Sequence, residues 1–276
     1  RRSIDYPLAP GMKSHECIGQ VVESTSGEYR PGDHVLAIPD GDRGLAEYYV
    51  ASASKAVRLP EELAGRPESC LIQPLSTVLN AVDRLGDIQG KRAAVVGLGS
   101  IGLLFCWLLK KRGAGFILGI DPNVHRCRFA QSMGADETIP SRSVEVVDAS
   151  RQEPGRWQPP DICVEAVGHQ TETLNDCIDL VRQQGTILAF GVPDRPVCAI
   201  EYETFFRKNA LLMAVVTPEW RDYLARARDL FLPHDEELSG LVTHHFPIID
   251  AATAFTLYER HADGILKAIL DASMWG

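Results

Sequence analysis

The sequence predicts an α/β protein, with a doubly wound parallel sheet between two stretches of a second, strand-rich region. Three observations carry this. From about residue 75 to 240, apolar strand-like runs alternate with helical runs, the pattern of βαβ units. Up to about residue 74 the chain is instead rich in Gly, Pro and short apolar alternations. Beyond residue 240, LVTHHFPIIDAATAFTLYERHADGILKAIL reads strand, helix, strand and is grouped with the first region.

In the first region CIGQVVE, DHVLAI, AEYYVA and KAVRL read as short strands, and Arg30-Pro31-Gly32-Asp33 is a turn signal. The stretch 76–85, STVLNAVDRL, carries apolar residues at helical spacing. Strand 93–96, helix 101–111, strand 116–120, helix 124–133 and a short strand at 137–139 follow. Next come strand 162–167, helix 171–181, strand 186–190, strand 211–216 and helix 218–230. Glu201 and Glu203, beside Tyr202 and Phe205-Phe206, are expected as surface or interface groups ahead of the strand at 211. No internal repeat is evident.

Composition excludes several functions. The 276 residues include 28 basic and 37 acidic side chains, a formal net charge of −9, so a nucleic-acid footprint is not expected. The densest basic run, Lys110-Lys111-Arg112, falls at a helix end, where solvated cations complement the dipole. No apolar run approaches the roughly 20 residues of a membrane span, and RRSIDYPLAPGMKS lacks the apolar core of a secretory signal. Seven cysteines, never in a CxxC pair, fit a reducing cytoplasm rather than a disulfide framework.

The chemistry concentrates at VVGLGSIGLL, where a β-branched strand gives way to glycines and then to a helix. Gly97 lets the chain turn, Gly99 lets a diphosphate approach the backbone, and Gly102 lets the helix pack on the sheet. The free amides from Ser100 and Ile101 onward, at the positive end of the helix, face the phosphates. Asp121 ends the next strand, nineteen residues after Gly102. A carboxylate there accepts hydrogen bonds from ribose hydroxyls and repels a 2′-phosphate, which favours NAD over NADP. Arg126 lies five residues further on; an arginine in that setting accommodates a 2′-phosphate and keeps NADP open. Two further strands end in glycine, at Glu165-Ala166-Val167-Gly168 and Ala189-Phe190-Gly191-Val192. Val167, Gly168, Phe190, Gly191 and Val192 are expected to line the nicotinamide half of the site, since ligands bind outside the carboxyl ends of parallel strands.

At this point the chain resembles the medium-chain dehydrogenase/reductase superfamily, in its alcohol and polyol (sorbitol-like) dehydrogenase branch. The matching segments are SHECIGQVVE, YRPGDHVLA, GLAEYYV, QPLSTVLNAV, VVGLGSIGLL, SMGADETI, DICVEAVG, GTILAFGVP and THHFPIIDAATAF with ILKAIL. The resemblance implies a Rossmann domain over 75–240, inserted in a GroES-like β-barrel catalytic domain built from 1–74 and 241–276. The barrel's opening strands are expected upstream of Arg1, and the substrate cleft at the junction of the domains. It also implies a homo-oligomer, dimer or tetramer, with the strand at 211–216 as candidate edge.

His15 and Glu16 match the His-Glu pair of the family's catalytic zinc site, and Gln73 stands where polyol dehydrogenases commonly carry a glutamate. The family's cysteine ligand precedes that pair by tens of residues and has no counterpart in this chain; Cys17 does not replace it by motif alignment. Zinc is therefore a possible cofactor only. The family's structural-zinc lobe is expected to be absent, because Pro39-Asp40-Gly41-Asp42-Arg43-Gly44 occupies its place without cysteines. His34, His169, His244, His245 and His261 are read as structural or surface residues, one of His244 and His245 facing inward, with an approach to the cofactor the alternative for His169 after the Gly168 loop.

The resemblance implies an NAD-dependent medium-chain dehydrogenase, an enzyme that moves a hydride between NAD(H) and a secondary alcohol or ketone. Its small-molecule substrate would be a polyol, a sugar-like compound or a natural product. Two alternatives stay open: a zinc-free NAD(P)H reductase acting on an activated double bond or quinone, and a non-catalytic NAD-binding sensor.

Overall fold

Alternating apolar residues in the first region build short paired strands. The computed structural model describes residues 14–193 and 195–272. Strands β1 (Cys17–Gln20), β2 (His34–Ala37) and β3 (Ala56–Arg58) form an antiparallel sheet, with Cys17 opposite Ala37 and Leu36 opposite Val57. Helix α1 (Ile72–Arg84) follows, and its buried face of Ile72, Leu75, Val78, Leu79 and Val82 has the helical spacing expected.

The next strands are β4 (Arg92–Val96), β5 (Phe116–Ile120), β6 (Glu137–Ile139), β7 (Ile162–Glu165), β8 (Thr186–Ala189) and β9 (Leu211–Ala214). They form one parallel sheet in the order β6-β5-β4-β7-β8-β9. That is the Rossmann order, in which the winding reverses beside the first strand and leaves a crevice at the carboxyl ends. Helices α2 (Ser100–Lys111), α3 (Val124–Ser132), α4 (Ser143–Gln152), α5 (Glu172–Leu180) and α6 (Tyr202–Arg207) make the crossovers. All four residues of β7 are buried, as a strand covered on both faces requires. Ala94, Val96, Leu118, Ile120, Cys163 and Ile187 of the sheet pack on Val146 of α4 and on Cys177, Ile178 and Val181 of α5 and its end.

The chain then forms α7 (Trp220–Phe231), α8 (Asp235–Ser239), β10 (Val242–Pro247), α9 (Ala251–Arg260) and β11 (Lys267–Asp271). Strands β10 and β11 pair in parallel, His245 opposite Ile269. Contacts divide the chain into two units, one Asn80–Val216 and the other running up to Leu79 and resuming at Thr217. The antiparallel trio and the β10–β11 pair are the sheets that the described residues supply to the second unit.

Several expectations need correction. The AEYYVA stretch is not a strand: Tyr48 and Val50 are exposed, and its link to the sheet region is an Asp40 amide donating to the Val50 carbonyl. A helix ahead of β9 was not expected: Glu203, exposed as expected, belongs to α6, where it pairs with Arg207. Helix α4 was not expected, because its buried face is only Ser143, Val146 and Val147. Strands expected to reach Val167, Phe190 and Val216 end at Glu165, Ala189 and Ala214. The basic run at the end of α2 is exposed, as expected, and within that solvated face Lys110 bonds Asp136 at 2.6 Å and Arg112 bonds Asp83 at 3.1 Å.

Candidate functional site

The glycine turn between β4 and α2 is shaped by two contacts that admit no side chain. A Cβ on Gly102 would lie 1.8 Å from the Gly97 carbonyl oxygen, so the helix start rests directly on the turn. Gly97 has φ +91°, and a Cβ there would meet Val167 Cγ2 at 2.6 Å. Gly99 differs: a Cβ on it would meet nothing within 4 Å. Gly99 is the N-cap of α2 and no side chain caps the helix. The amides of Ser100, Ile101 and Gly102, which lack intrahelical acceptors by position, therefore begin beside open space. Free amides at the positive end of a helix attract an anion.

Asp121, 5% exposed, stands just past β5. Its Oδ2 accepts from the Leu98 amide and its Oδ1 from the Asn123 amide, both at 2.8 Å. The acid thus fastens the glycine turn to the β5–α3 turn, and each oxygen keeps a further lone pair for a ribose hydroxyl. Asn123 caps α3 by accepting from the His125 and Arg126 amides. Arg126 Nη1 lies 3.7 Å from Asp121 Oδ2, so both cofactor-selecting residue types named from the sequence share one corner.

The loops after β7 and β8 interlock. Gly168 has φ +65°, and a Cβ on it would lie 2.6 Å from Val192 N; a Cβ on Gly191 would lie 2.2 Å from Gly168 N. The His169 amide donates to the Val192 carbonyl at 2.7 Å. Phe190 packs edge-on against Phe105 of α2, ring centroids 4.9 Å apart. Val167 and Val192 remain exposed. The fold brings Gly97, Val167, Gly168, Phe190, Gly191 and Val192 together. It also adds Glu165, a buried carboxylate not singled out from the sequence, whose Oε1 accepts from the Val167 and Gly168 amides and the Thr173 hydroxyl. The signal for it was an acid at the end of the otherwise apolar strand ICVE.

His15, Glu16 and Gln73 lie in the other unit. The Glu16 carboxylate pairs with Lys267 Nζ on β11. Burial alone would depress the Lys267 ammonium, but Glu16, with lesser help from Cys70 and Tyr258, outweighs it and the pKa is raised above its usual value. His15 is exposed, while Gln73 is buried near the start of α1. Burial pushes the nearby Cys70 thiol up to about 12, which leaves it a poor ligand. Among the described residues no group of His, Cys, Asp and Glu is placed to hold a metal. With Glu16 engaged by an ammonium and Gln73 a neutral amide, the described residues do not furnish the three-ligand set of a catalytic zinc. Residues 39–44 form a tight turn with Gly41 and Asp42 at positive φ. His244 pairs with Asp263 and His245 with Glu68, and of the two His244 is the inward-facing residue on β10.

The family model described as zinc-binding dehydrogenase matches residues 100–231. Sorbitol dehydrogenase of Gallus gallus is 28% identical over 91% of this chain and 78% of its own length. L-Idonate 5-dehydrogenase (NAD(P)+) of Escherichia coli is 25% identical over 67% of this chain, which spans 61% of that relative. An alcohol dehydrogenase from Thermus sp. ATN1 shares the fold with a TM-score of 0.81 at 24% identity, covering 96% of this chain and 85% of that one.

Proposed function

Because this chain belongs to the medium-chain dehydrogenase/reductase superfamily, in its alcohol and polyol dehydrogenase branch, we propose that it is an oxidoreductase that transfers a hydride between NAD and a secondary alcohol or ketone. One observation carries the reading. Asp121 is hydrogen-bonded into the turn at Leu98, and that same turn leaves open space over the uncapped start of α2.

The amides of Ser100, Ile101 and Gly102 bind the diphosphate, and Asp121 accepts the hydroxyls of the adenosine ribose. Arg126 flanks that ribose beside Asp121. The backbone of Val167, Gly168, Phe190, Gly191 and Val192 lines the nicotinamide half. When bound, the coenzyme supplies two-electron hydride acceptance. The chain's own task is to hold that ring in place, to shield it from water and to let the alcohol proton leave to solvent. In the second unit, Glu16 is tied to Lys267, while His15 is exposed.

Sorbitol and L-idonate, for which two relatives are named, are polyhydroxylated, which supports a polyol or sugar-like substrate. The outer edge of β9, flanked by exposed Tyr202, Phe206, Leu211 and Val216, supports a homo-oligomer. Seven unpaired cysteines, six of them buried, support a reducing cytoplasm; among the described residues no helix is long and apolar enough to cross a membrane.

A second reading, a metal-free reductase of the same superfamily, is favoured by the Glu16–Lys267 pair. A panel of polyols with NAD, followed at the NADH absorbance, and a panel of enones and quinones with NADH and NADPH separate the two. Turnover of a secondary alcohol supports the first; turnover confined to the second panel replaces it.

A further inference from the structure

Glu165 is 4% exposed at the carboxyl end of β7, where a carboxylate loses most of its hydration. Neutral donors hold it. Its Oε1 accepts from the Val167 amide at 3.0 Å, the Gly168 amide at 2.9 Å and the Thr173 hydroxyl at 2.9 Å. Its main-chain carbonyl accepts from the Phe190 and Gly191 amides, both at 3.0 Å. A Cβ on Gly191 would lie 2.4 Å from Glu165 Oε2, and Val167 in turn abuts Gly97. The Glu165 carboxylate thus braces the loop after β7 against α5, while its main-chain carbonyl holds the loop after β8, next to the turn assigned to the diphosphate.

We propose that Glu165 is a positioning residue for the nicotinamide half of the bound dinucleotide, and that its buried charge biases the site toward the oxidised, cationic ring. This inference rests on the dinucleotide reading above. NAD⁺ and NADH differ by one positive charge on the ring and share the ADP-ribose portion. A fixed carboxylate in a poorly hydrated setting therefore favours the first over the second, and leaves ADP-ribose indifferent. The loops it fastens present backbone groups, so loosening them weakens both nicotinamide forms together.

The test uses the full chain and calorimetric dissociation constants for NAD⁺, NADH and ADP-ribose. Glu165→Gln keeps an acceptor oxygen but removes the charge. It is expected to weaken NAD⁺ relative to NADH by about fivefold or more while ADP-ribose binding is unchanged. Thr173→Val keeps the charge and removes one donor. It is expected to weaken NAD⁺ and NADH by a similar factor, about threefold, with their ratio and ADP-ribose binding as in the parent. An unchanged NAD⁺/NADH ratio in Glu165→Gln overturns the charge assignment, and unchanged binding of both forms in Thr173→Val overturns the positioning role. If ADP-ribose fails to bind the parent chain, the dinucleotide reading itself fails and takes this inference with it.

Discussion

Asp121 Oδ2 accepts a 2.8 Å hydrogen bond from the Leu98 amide, so the acid past β5 fixes the shape of the turn past β4. Selection of the coenzyme and construction of its phosphate site thus depend on one side chain. Replacing Asp121 by Ser removes the repulsion of a 2′-phosphate and one ribose acceptor. The ratio of NADH to NADPH affinity is expected to fall by about tenfold, or ~1.4 kcal/mol. Two backbone amides lose their acceptor as well, so chemical denaturation is expected to show a loss of about 1–3 kcal/mol. A variant with unaltered cofactor ratio would remove Asp121 as the selector.

Gly99 and Gly102 respond differently to the same substitution. Gly102→Ala places a methyl 1.8 Å from the Gly97 carbonyl oxygen, so backbone must shift to admit it. A destabilisation of about 2 kcal/mol or more is expected. Gly99→Ala meets nothing within 4 Å and keeps a permitted φ of −69°, so stability should change by less than about 1 kcal/mol. Its methyl occupies the space assigned to the diphosphate, however, and NADH affinity should drop by about tenfold or more. Thermal melts and fluorescence titration of the two variants read these outcomes separately.

The Glu16–Lys267 pair has a pH signature. The pKa of Lys267 is raised in the folded state, so its contribution is fully present below the unfolded value of about 10.4 and is lost as pH rises through the folded value. Stability should therefore show an added decline only above about pH 10.4, and Lys267→Met should abolish that component. At neutral pH the same variant leaves Glu16 without its partner and should cost about 2–3 kcal/mol. Denaturation midpoints measured from pH 7 to about 11 check both statements.

Oligomerisation through β9 is tested at its outer edge. The Leu211 and Val215 amides donate inward to β8 residues and the preceding loop, so strand alternation directs the Ala214 amide outward. Ala214→Pro removes that outward donor and is expected to give a monomer in sedimentation analysis while NADH binding persists. A parent chain that sediments as a monomer would contradict the proposal.

Much of the cofactor unit was legible in the sequence because its signals are local. The run Ala93–Val96 is apolar on both faces, and of the glycines that follow, Gly97 and Gly102 stand where backbone approaches backbone while Gly99 faces open space. Asp121 could be placed because the strand Phe116–Ile120 ends abruptly at an acid. Glu165 was missed because its role depends on the spatial meeting of two loops 25 residues apart in sequence, Glu165 and Phe190, through a bond no local pattern announces. Helix α4 escaped because Ser143 fills a buried position by bonding Asp176 of α5 at 2.6 Å, so the apolar periodicity is interrupted. The AEYYVA alternation misled because period-2 apolarity specifies a strand only where a neighbour pairs with it. Glu16 was read as a ligand from its motif, and its pairing with Lys267, 251 residues away, is a tertiary fact.

The central claim is that the amides of Ser100, Ile101 and Gly102 receive the diphosphate of a nicotinamide dinucleotide while Asp121 holds its ribose. Hydrogen–deuterium exchange of the full chain, with and without saturating NADH, tests it most directly. Slowed exchange in peptides covering residues 97–103 and 121–126 is the expected result. Bound NADH with unchanged exchange across those segments would contradict the account, as would failure of NADH to bind at all.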